Sequence, residues 1–532
     1  MQRRNFLTTF AAASGAAMIL PRSWAHAQPR AESLRVLSEG AANSFDTFSV
    51  GVNRNSIQLT WNVYDRLVTF GYRQLDEGVG YYDYFDIQPQ LAESYSVADD
   101  QRSVTFALRK DATFHDGRPV TARDVKWSLD RVVASPIGAA QFRTGSMTSP
   151  DQFVVVDDHT FRVDLPQPDR FALPNLALTY PIIVNAALAL EHATEADPFA
   201  MDWLSANAAG GGAFRIARAE IGERILLERN DDWKSGPLPG FRRVLWQTVP
   251  AAETRVASLL RGDADLVQDL PPKDVQRLLD NENVEVVGVP TSSFHFIGMN
   301  GARPPFDNKL VRQAIAYALP YDDMFKVALF GRGRPLHGGR PGRPDSIAYP
   351  QQSGYDTDLD KARDLLAEAG YGEGFDTTFS YELSQATIAE PVALLLQEAL
   401  AKIGITVRIE KVPAGQLGTL LQDKKVPFYF EGSTAFLSDP DYFFRVFYTG
   451  DSRWNFGAYK NEEFAQLVSA TRYETDQAIY EDQVRQMIEM VKEDIPIIIL
   501  WHPSLDTGMQ TDIEGYSYTF HRQLEMKTLT RG

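Results

Sequence analysis

Phe106-Ala107-Leu108-Arg109-Lys110-Asp111-Ala112-Thr113-Phe114-His115-Asp116-Gly117-Arg118-Pro119-Val120-Thr121-Ala122-Arg123-Asp124-Val125 contains a strand, a turn and the start of a helix. From Ser103 onward Val104, Phe106 and Leu108 fall on one side of an alternating run, the pattern of a half-buried strand. His115-Asp116-Gly117-Arg118-Pro119 is a tight turn, with Asp-Gly and Pro supplying the backbone angles. Thr121-Ala122-Arg123-Asp124 has the form of a capping box, and Val125, Leu129 and Val132 follow at helical spacing.

The same alternation of strand and helix extends in both directions. Leu34-Arg35-Val36-Leu37 reads as a first short strand. Asp307 is placed to cap a helix carrying Val311, Ala314, Ile315 and Ala318, and Pro320 stops it. Asp356 is placed to cap another, with Leu359, Ala362, Leu365, Leu366 and Ala369 in register and Gly370 past the end. Pro391 sits at a first-turn position before Leu395, Ala399 and Ile403. Gly404 closes that helix, and Ile405, Val407 and Ile409 then alternate as a strand. Ile497-Ile498-Ile499-Leu500-Trp501 is a continuous apolar run, as in a strand covered on both faces. Helix, glycine turn and apolar strand in succession predict an α/β fold. No internal repeat interrupts it.

The chain has 532 residues, 44% of them apolar, and a net charge of −17. That length predicts two or three lobes. The acidic balance argues against nucleic acid as a partner. With no cysteine, disulfides, thiolate zinc sites, iron–sulfur clusters and a thiol nucleophile are excluded. Gln2-Arg3-Arg4-Asn5-Phe6-Leu7 has twin-arginine form. A weakly apolar run and Ala25-His26-Ala27 follow, so residues 1–27 read as an export signal cleaved before Gln28; an ordinary secretory signal is the alternative. No cysteine follows to carry a lipid anchor, and no later segment reaches the length of a membrane helix. The expected compartment is the periplasm.

Catalytic signatures are missing. There is no G-x-S-x-G, H-E-x-x-H or Walker loop. Gly210-Gly211-Gly212 lacks the spacing of a dinucleotide fingerprint. The histidines, among them His115, His159, His192, His295, His337, His502 and His521, show no metal-ligand spacing. No enzyme activity, metal or cofactor is expected.

From about Leu34 to the C-terminus the chain resembles the extracellular solute-binding family of ABC-type peptide, dipeptide and nickel importers, family 5. The stretch quoted at the outset is similar to that family's F-x-L-R-x-x-x-x-F-H-D-G-x-P-V-T-A-x-D-V signature. Further landmarks follow in the family's order: Pro89 to Ser94, Leu227 to Trp233, Leu260 to Asp265, Phe296 to Asn300 with Pro304 to Asp307 and Val311 to Ile315, and Lys361 to Tyr371. The resemblance implies a two-lobe periplasmic-binding-protein fold with an extra subdomain in the first lobe and two crossover strands at the hinge, near 269–296 and 497–502. The expected division is 28–290 for the first lobe with an insertion at about 63–204, 291–497 for the second lobe, and 498–532 as a return to the first. The implied role is a monomeric receptor without membrane anchor. It would capture a small polar solute (a peptide, modified peptide, opine or glycoside) and deliver it to inner-membrane ABC permease subunits. A secreted hydrolase of peptide or sugar conjugates is the rival reading.

One departure bears on the ligand. Peptide-binding members often carry G-W-x-x-D shortly before a D-P, the aspartate pairing with the peptide's amino terminus. Here the segment is Gly432-Ser433-Thr434-Ala435-Phe436-Leu437-Ser438-Asp439-Pro440, so Ser433 stands for the tryptophan and Phe436 for the aspartate. An ammonium left against Phe436 is unpaired, at a cost of several kcal/mol, unless Glu431, Asp439 or Asp441 takes it. The expected cleft residues are Ser433, Thr434, Phe436, Asp439 and Tyr442, with Asn43, Ser44 and Phe45 facing them and Trp501 or His502 on the hinge side.

Overall fold

The computed structural model describes residues 30–49, 51–75, 79–450 and 452–532, so the export-signal reading of 1–27 lies outside the described residues. Its spine is a mixed twelve-stranded sheet. Ser33–Ser38, flanked by Arg243–Thr248 and Leu266–Val267 in parallel, anchors the first lobe. Ser293–Met299, Phe428–Thr434, Phe375–Glu382 and Ile405–Val412 form the second. The two are joined by Ile497–Gln510. Its first residues pair with Ser293–Met299, and its later ones with Val284–Pro290 and Leu266–Val267. The chain therefore crosses between lobes at 284–299 and 497–510. The apolar run 497–501 is only the second-lobe part of that long strand. Beyond it His502, Pro503 and Ser504 break the apolar pattern, while the antiparallel pairing continues through Gly333–Pro335 and Val284–Pro290.

A second sheet, in the order Ala92–Val97, Ser103–Leu108, Thr160–Asp164, Phe153–Asp157, forms the inserted subdomain. Helix Ala122–Ala134 covers it and buries Val125, Leu129 and Val132 completely. Thr121 and Asp124 make the capping box, and Gly117 adopts φ +86° to close the preceding turn. His115 is a scaffold residue: its Nε2 lies 3.0 Å from the Gly212 carbonyl, and burial pushes the ring down to about 4. The glycine run beside it permits close backbone approach. A Cβ on Gly210 would sit 2.2 Å from the Val63 carbonyl oxygen. A third sheet pairs Val68–Gln74 and Gly80–Pro89 with the C-terminal strands Ser517–Thr519 and Gln523–Leu524.

Three helix starts differ from the sequence reading. Asn308, not Asp307, caps Lys309–Ala318, accepting the Leu310 N–H at 2.9 Å. Asp358, not Asp356, caps Leu359–Glu368 through the Lys361 N–H at 3.0 Å. Pro391 lies inside helix Ala386–Ala401 rather than in its first turn. In the first two cases an equivalent cap stands one or two residues on, and the packing of the apolar stripe selects it.

Candidate functional site

The second-lobe wall of the cleft begins where strand Phe428–Thr434 ends. Ser433 lies opposite Phe294, and Thr434 lies opposite Ser293, with their side-chain oxygens 2.6 Å apart for the Thr434–Ser293 pair. The chain then projects toward the first lobe and turns back into helix Pro440–Phe447, capped by Asp439. At the tip, Phe436 enters between two first-lobe rings. Tyr180 stacks on it at 5.8 Å and His521 lies 4.3 Å away on the other side. Tyr180 in turn stacks on Phe48 at 6.0 Å. A column of four rings thus spans the lobes, and Phe436 is its one second-lobe member. Beside it the Tyr82 hydroxyl meets Ser438 Oγ at 2.7 Å.

Among the described residues the carboxylates beside this column are already engaged. Asp46 forms a fully buried ion pair with Arg131, whose guanidinium also lies over Phe48. Glu431 accepts from Gln385 at 3.1 Å and from the Gly432 N–H at 2.9 Å, and burial raises its pKa. The column offers aromatic faces and hydroxyls, which suit stacking with few hydrogen bonds.

Asn43, Ser44 and Phe45 form a loop tied to its own lobe. Asn43 Oδ1 accepts from Ser56 Oγ at 2.8 Å, and Ser44 Oγ meets Ser49 Oγ at 2.6 Å. The Phe45 N–H donates to the Ser205 carbonyl at 2.9 Å. Beyond these bonds the chain carries Asp46 to Arg131 and Phe48 to Tyr180. Tyr442 is buried with its edge against Phe171 of the subdomain, 6.3 Å away. His502 lies at the hinge, its Nδ1 2.8 Å from the Ser293 carbonyl, held neutral by burial that pushes it down to about 4. The expectation for Trp501 needs correcting. It is 1% exposed in the second-lobe core, packs on Phe325 and donates to His295 Nδ1 at 2.8 Å. Alternation along the strand turns it toward the helical layer.

Sequence reading missed Phe48, Tyr180 and His521. The last sits on the C-terminal hairpin, where His521 and Arg522 are consecutive non-glycine residues with φ of +55° and +65°. Such backbone persists only where surrounding contacts over-determine it, and it clusters at ligand clamps. Burial pushes the His521 ring down to about 3, and Nε2 has no partner among the described residues. The available signal was the aromatic density of Tyr516-Ser517-Tyr518-Thr519-Phe520-His521.

On the side of the cleft away from the hinge, subdomain and second lobe meet along a seam. Arg472 forms a buried pair with Asp169, at 2.8 and 2.6 Å, and also reaches the Thr144 carbonyl. Arg170 donates to the Glu474 carbonyl at 2.5 Å, with its guanidinium 3.3 Å from the Tyr480 ring centre. Next to these contacts is a cavity of about 360 Å³ walled by both lobes.

The comparisons with known proteins agree with this geometry. Residues 86–455 match the model of bacterial extracellular solute-binding proteins, family 5 (middle region). The chain belongs to this family. It is 27% identical over 475 residues to the probable D,D-dipeptide-binding periplasmic protein DdpA of Escherichia coli K12, spanning 88% of each chain. Among solved structures it is similar to the periplasmic binding protein AgaA from A. tumefaciens R10 in complex with agropinic acid, with TM-score 0.72, 26% identity and coverage of 94% and 99% of the two chains. It is similar to the same degree to DppA from Helicobacter pylori in complex with the peptide STSA, with TM-score 0.72, 25% identity and coverage of 94% and 98%.

Family 5 members are binding proteins of ABC importers and not enzymes, so the secreted-hydrolase reading gives way to a receptor. The two-lobe fold with its subdomain and crossover strands is that of the family-5 neighbours. Among the described residues no helix is long and apolar enough to cross a membrane, and no cluster of three metal-ligating side chains occurs.

Proposed function

We propose that this chain is the periplasmic, anchor-free receptor of an ABC importer, working as a monomer. It captures a small polar solute between lobes that meet near residues 291 and 503 and presents the closed form to the permease subunits. The observation that carries the ligand side of this reading is the ring column Phe48, Tyr180, Phe436, His521, in which Phe436, by its motif resemblance, takes the position of the aspartate of peptide-binding members. An aromatic column recognises a planar or apolar ligand face and gives a charged terminus no counter-ion. Modified peptides, opines and glycosides fit it, and the ligands named for DdpA, AgaA and DppA span comparable chemistry.

The test is mass spectrometry of small molecules released from protein purified out of the periplasm. One intact solute per chain is the expected result. Accumulated hydrolysis products would restore the enzyme reading, and protein that returns empty from every solute mixture would remove the receptor reading.

A further inference from the structure

The second lobe carries a groove of about 690 Å³, walled by residues between 334 and 352 together with Lys492. It shares no lining residue with the seam cavity and contains no member of the ring column. Its charge is the reverse of the molecule's. The chain has a net charge of −17, and the seam cavity sets three carboxylates, Asp169, Asp439 and Glu474, against Arg170. The groove sets Arg334, Arg340, Arg343 and Lys492 against Asp345 alone. All of these residues lie in one lobe, so the groove does not depend on closure.

Three of the four cations lack a counter-charge. Arg343 pairs with Asp482. Arg334 and Arg340 are exposed, and neither guanidinium makes a hydrogen bond or ion pair among the described residues. Lys492 is half-buried near the end of helix Gln477–Asp494, and its Nζ meets the Arg340 carbonyl at 3.4 Å rather than a carboxylate. Burial lowers its pKa. The backbone holds these cations together against their mutual repulsion. Pro335, Pro341, Pro344 and Pro350 fix φ along the wall. The Leu336 N–H donates to the Leu500 carbonyl at 2.9 Å, and the Gly338 N–H donates to the Tyr355 carbonyl at 2.7 Å. The Tyr349 hydroxyl lies 2.5 Å from that of Tyr448, at the end of helix Pro440–Phe447. Like charges fixed side by side, one of them partly desolvated, cost free energy that a bound anion recovers.

We propose that this groove is a binding site for a small soluble polyanion of the phosphate type, held by Arg334, Arg340 and Lys492, in addition to the solute taken between the lobes. Guanidinium forks match phosphate oxygens in pairs, and the lysine adds a point charge. A phosphate group brings close to two charges and three acceptor oxygens, more than one carboxylate offers to three cations. The volume lies within the roughly 300 to 1,000 Å³ of small-molecule sites. None of the exposed large apolar side chains lines the groove, so a lipid surface finds no anchor there.

The experiment titrates the full chain with inorganic pyrophosphate by calorimetry. Wild type is expected to bind one pyrophosphate per chain, about tenfold or more tighter than acetate, and less tightly as salt rises. Arg334→Gln combined with Arg340→Gln, and separately Lys492→Gln, are each expected to weaken binding about tenfold or more. Arg123→Gln, which removes an exposed ion pair with Asp158 in the subdomain, is expected to leave it unchanged. No heat from pyrophosphate, an affinity no better than that for acetate, undiminished binding in both groove variants, or an equal loss in Arg123→Gln would overturn the site. Cosedimentation with phosphatidylglycerol vesicles in the absence of pyrophosphate binding would overturn the soluble ligand.

Discussion

Asp439 is a buried carboxylate that caps helix Pro440–Phe447. Burial is the main reason its carboxyl is raised from 3.8 to about 6, and the nearby Asp441 charge adds to it, while Tyr480, Arg170 and the Asp441 N–H act in the other direction. The groups facing it are Tyr480, Tyr84, Asp441 and Arg170. Both tyrosines have pKa values raised further and stay neutral, and Asp441 is paired with Arg445 at 2.9 Å. Between about pH 4 and 6 the folded chain therefore holds a proton on Asp439 that the unfolded chain has released. Proton linkage makes this residue's contribution to stability rise as pH falls from 7 toward 4. This contribution to the melting temperature is expected to grow as pH falls through about 6. Asp439→Asn should flatten that dependence, which thermal unfolding between pH 4.5 and 7.5 will check. A variant profile as steep as that of wild type would show that Asp439 does not set it.

Among the elements, helix Ala122–Ala134 shows how local chemistry can specify a structure without touching the site. Asp124 Oδ2 accepts the Thr121 N–H at 3.0 Å and its hydroxyl at 2.8 Å, and Oδ1 accepts the Ala186 N–H at 3.2 Å. Thr121→Ala removes one cap partner and is expected to lower unfolding stability by about 1 kcal/mol, with solute capture unchanged; urea titration alongside capture measures both. A matching loss of capture would place this helix nearer the ligand than its position in the subdomain allows. This helix was readable because capping box, turn and apolar stripe all act within a few residues. Ile497–Gln510 was readable only as far as Trp501, because its continuation is held by strands more than 160 residues away. Burial of Ser44 and Phe45 was likewise unreadable: their partners are Ser49, Ser56 and Ser205, and the last lies far along the chain.

For the molecule as a whole, the lobes meet at the crossover strands, around the ring column and along the seam that holds the Arg472–Asp169 pair. Arg472→Ala leaves Asp169 buried with only the Ser146 hydroxyl, at 2.5 Å, and the Phe171 N–H, at 2.9 Å. An unpaired buried carboxylate costs about 3–5 kcal/mol, and hinge opening hydrates it without unfolding either lobe. The expected outcome is an increased radius of gyration in X-ray scattering and faster ligand release, with each lobe's thermal transition kept. An unchanged radius with a lowered melting temperature would mean that the pair serves folding rather than closure.

The α/β class, the capped helix, the absence of cysteine chemistry and, through the signature stretch, the family resemblance were all legible along the chain. Those properties depend on residue type and short spacing. Phe436 was nominated from its place before Asp439-Pro440, which is also local. That its ring enters between Tyr180 and His521, that Trp501 turns into the core, and that Asp439 shares a cavity with Arg170 were decided by the tertiary structure. Each joins side chains from distant parts of the chain, and for such contacts spacing along the sequence carries no distance information until the lobes have folded and met.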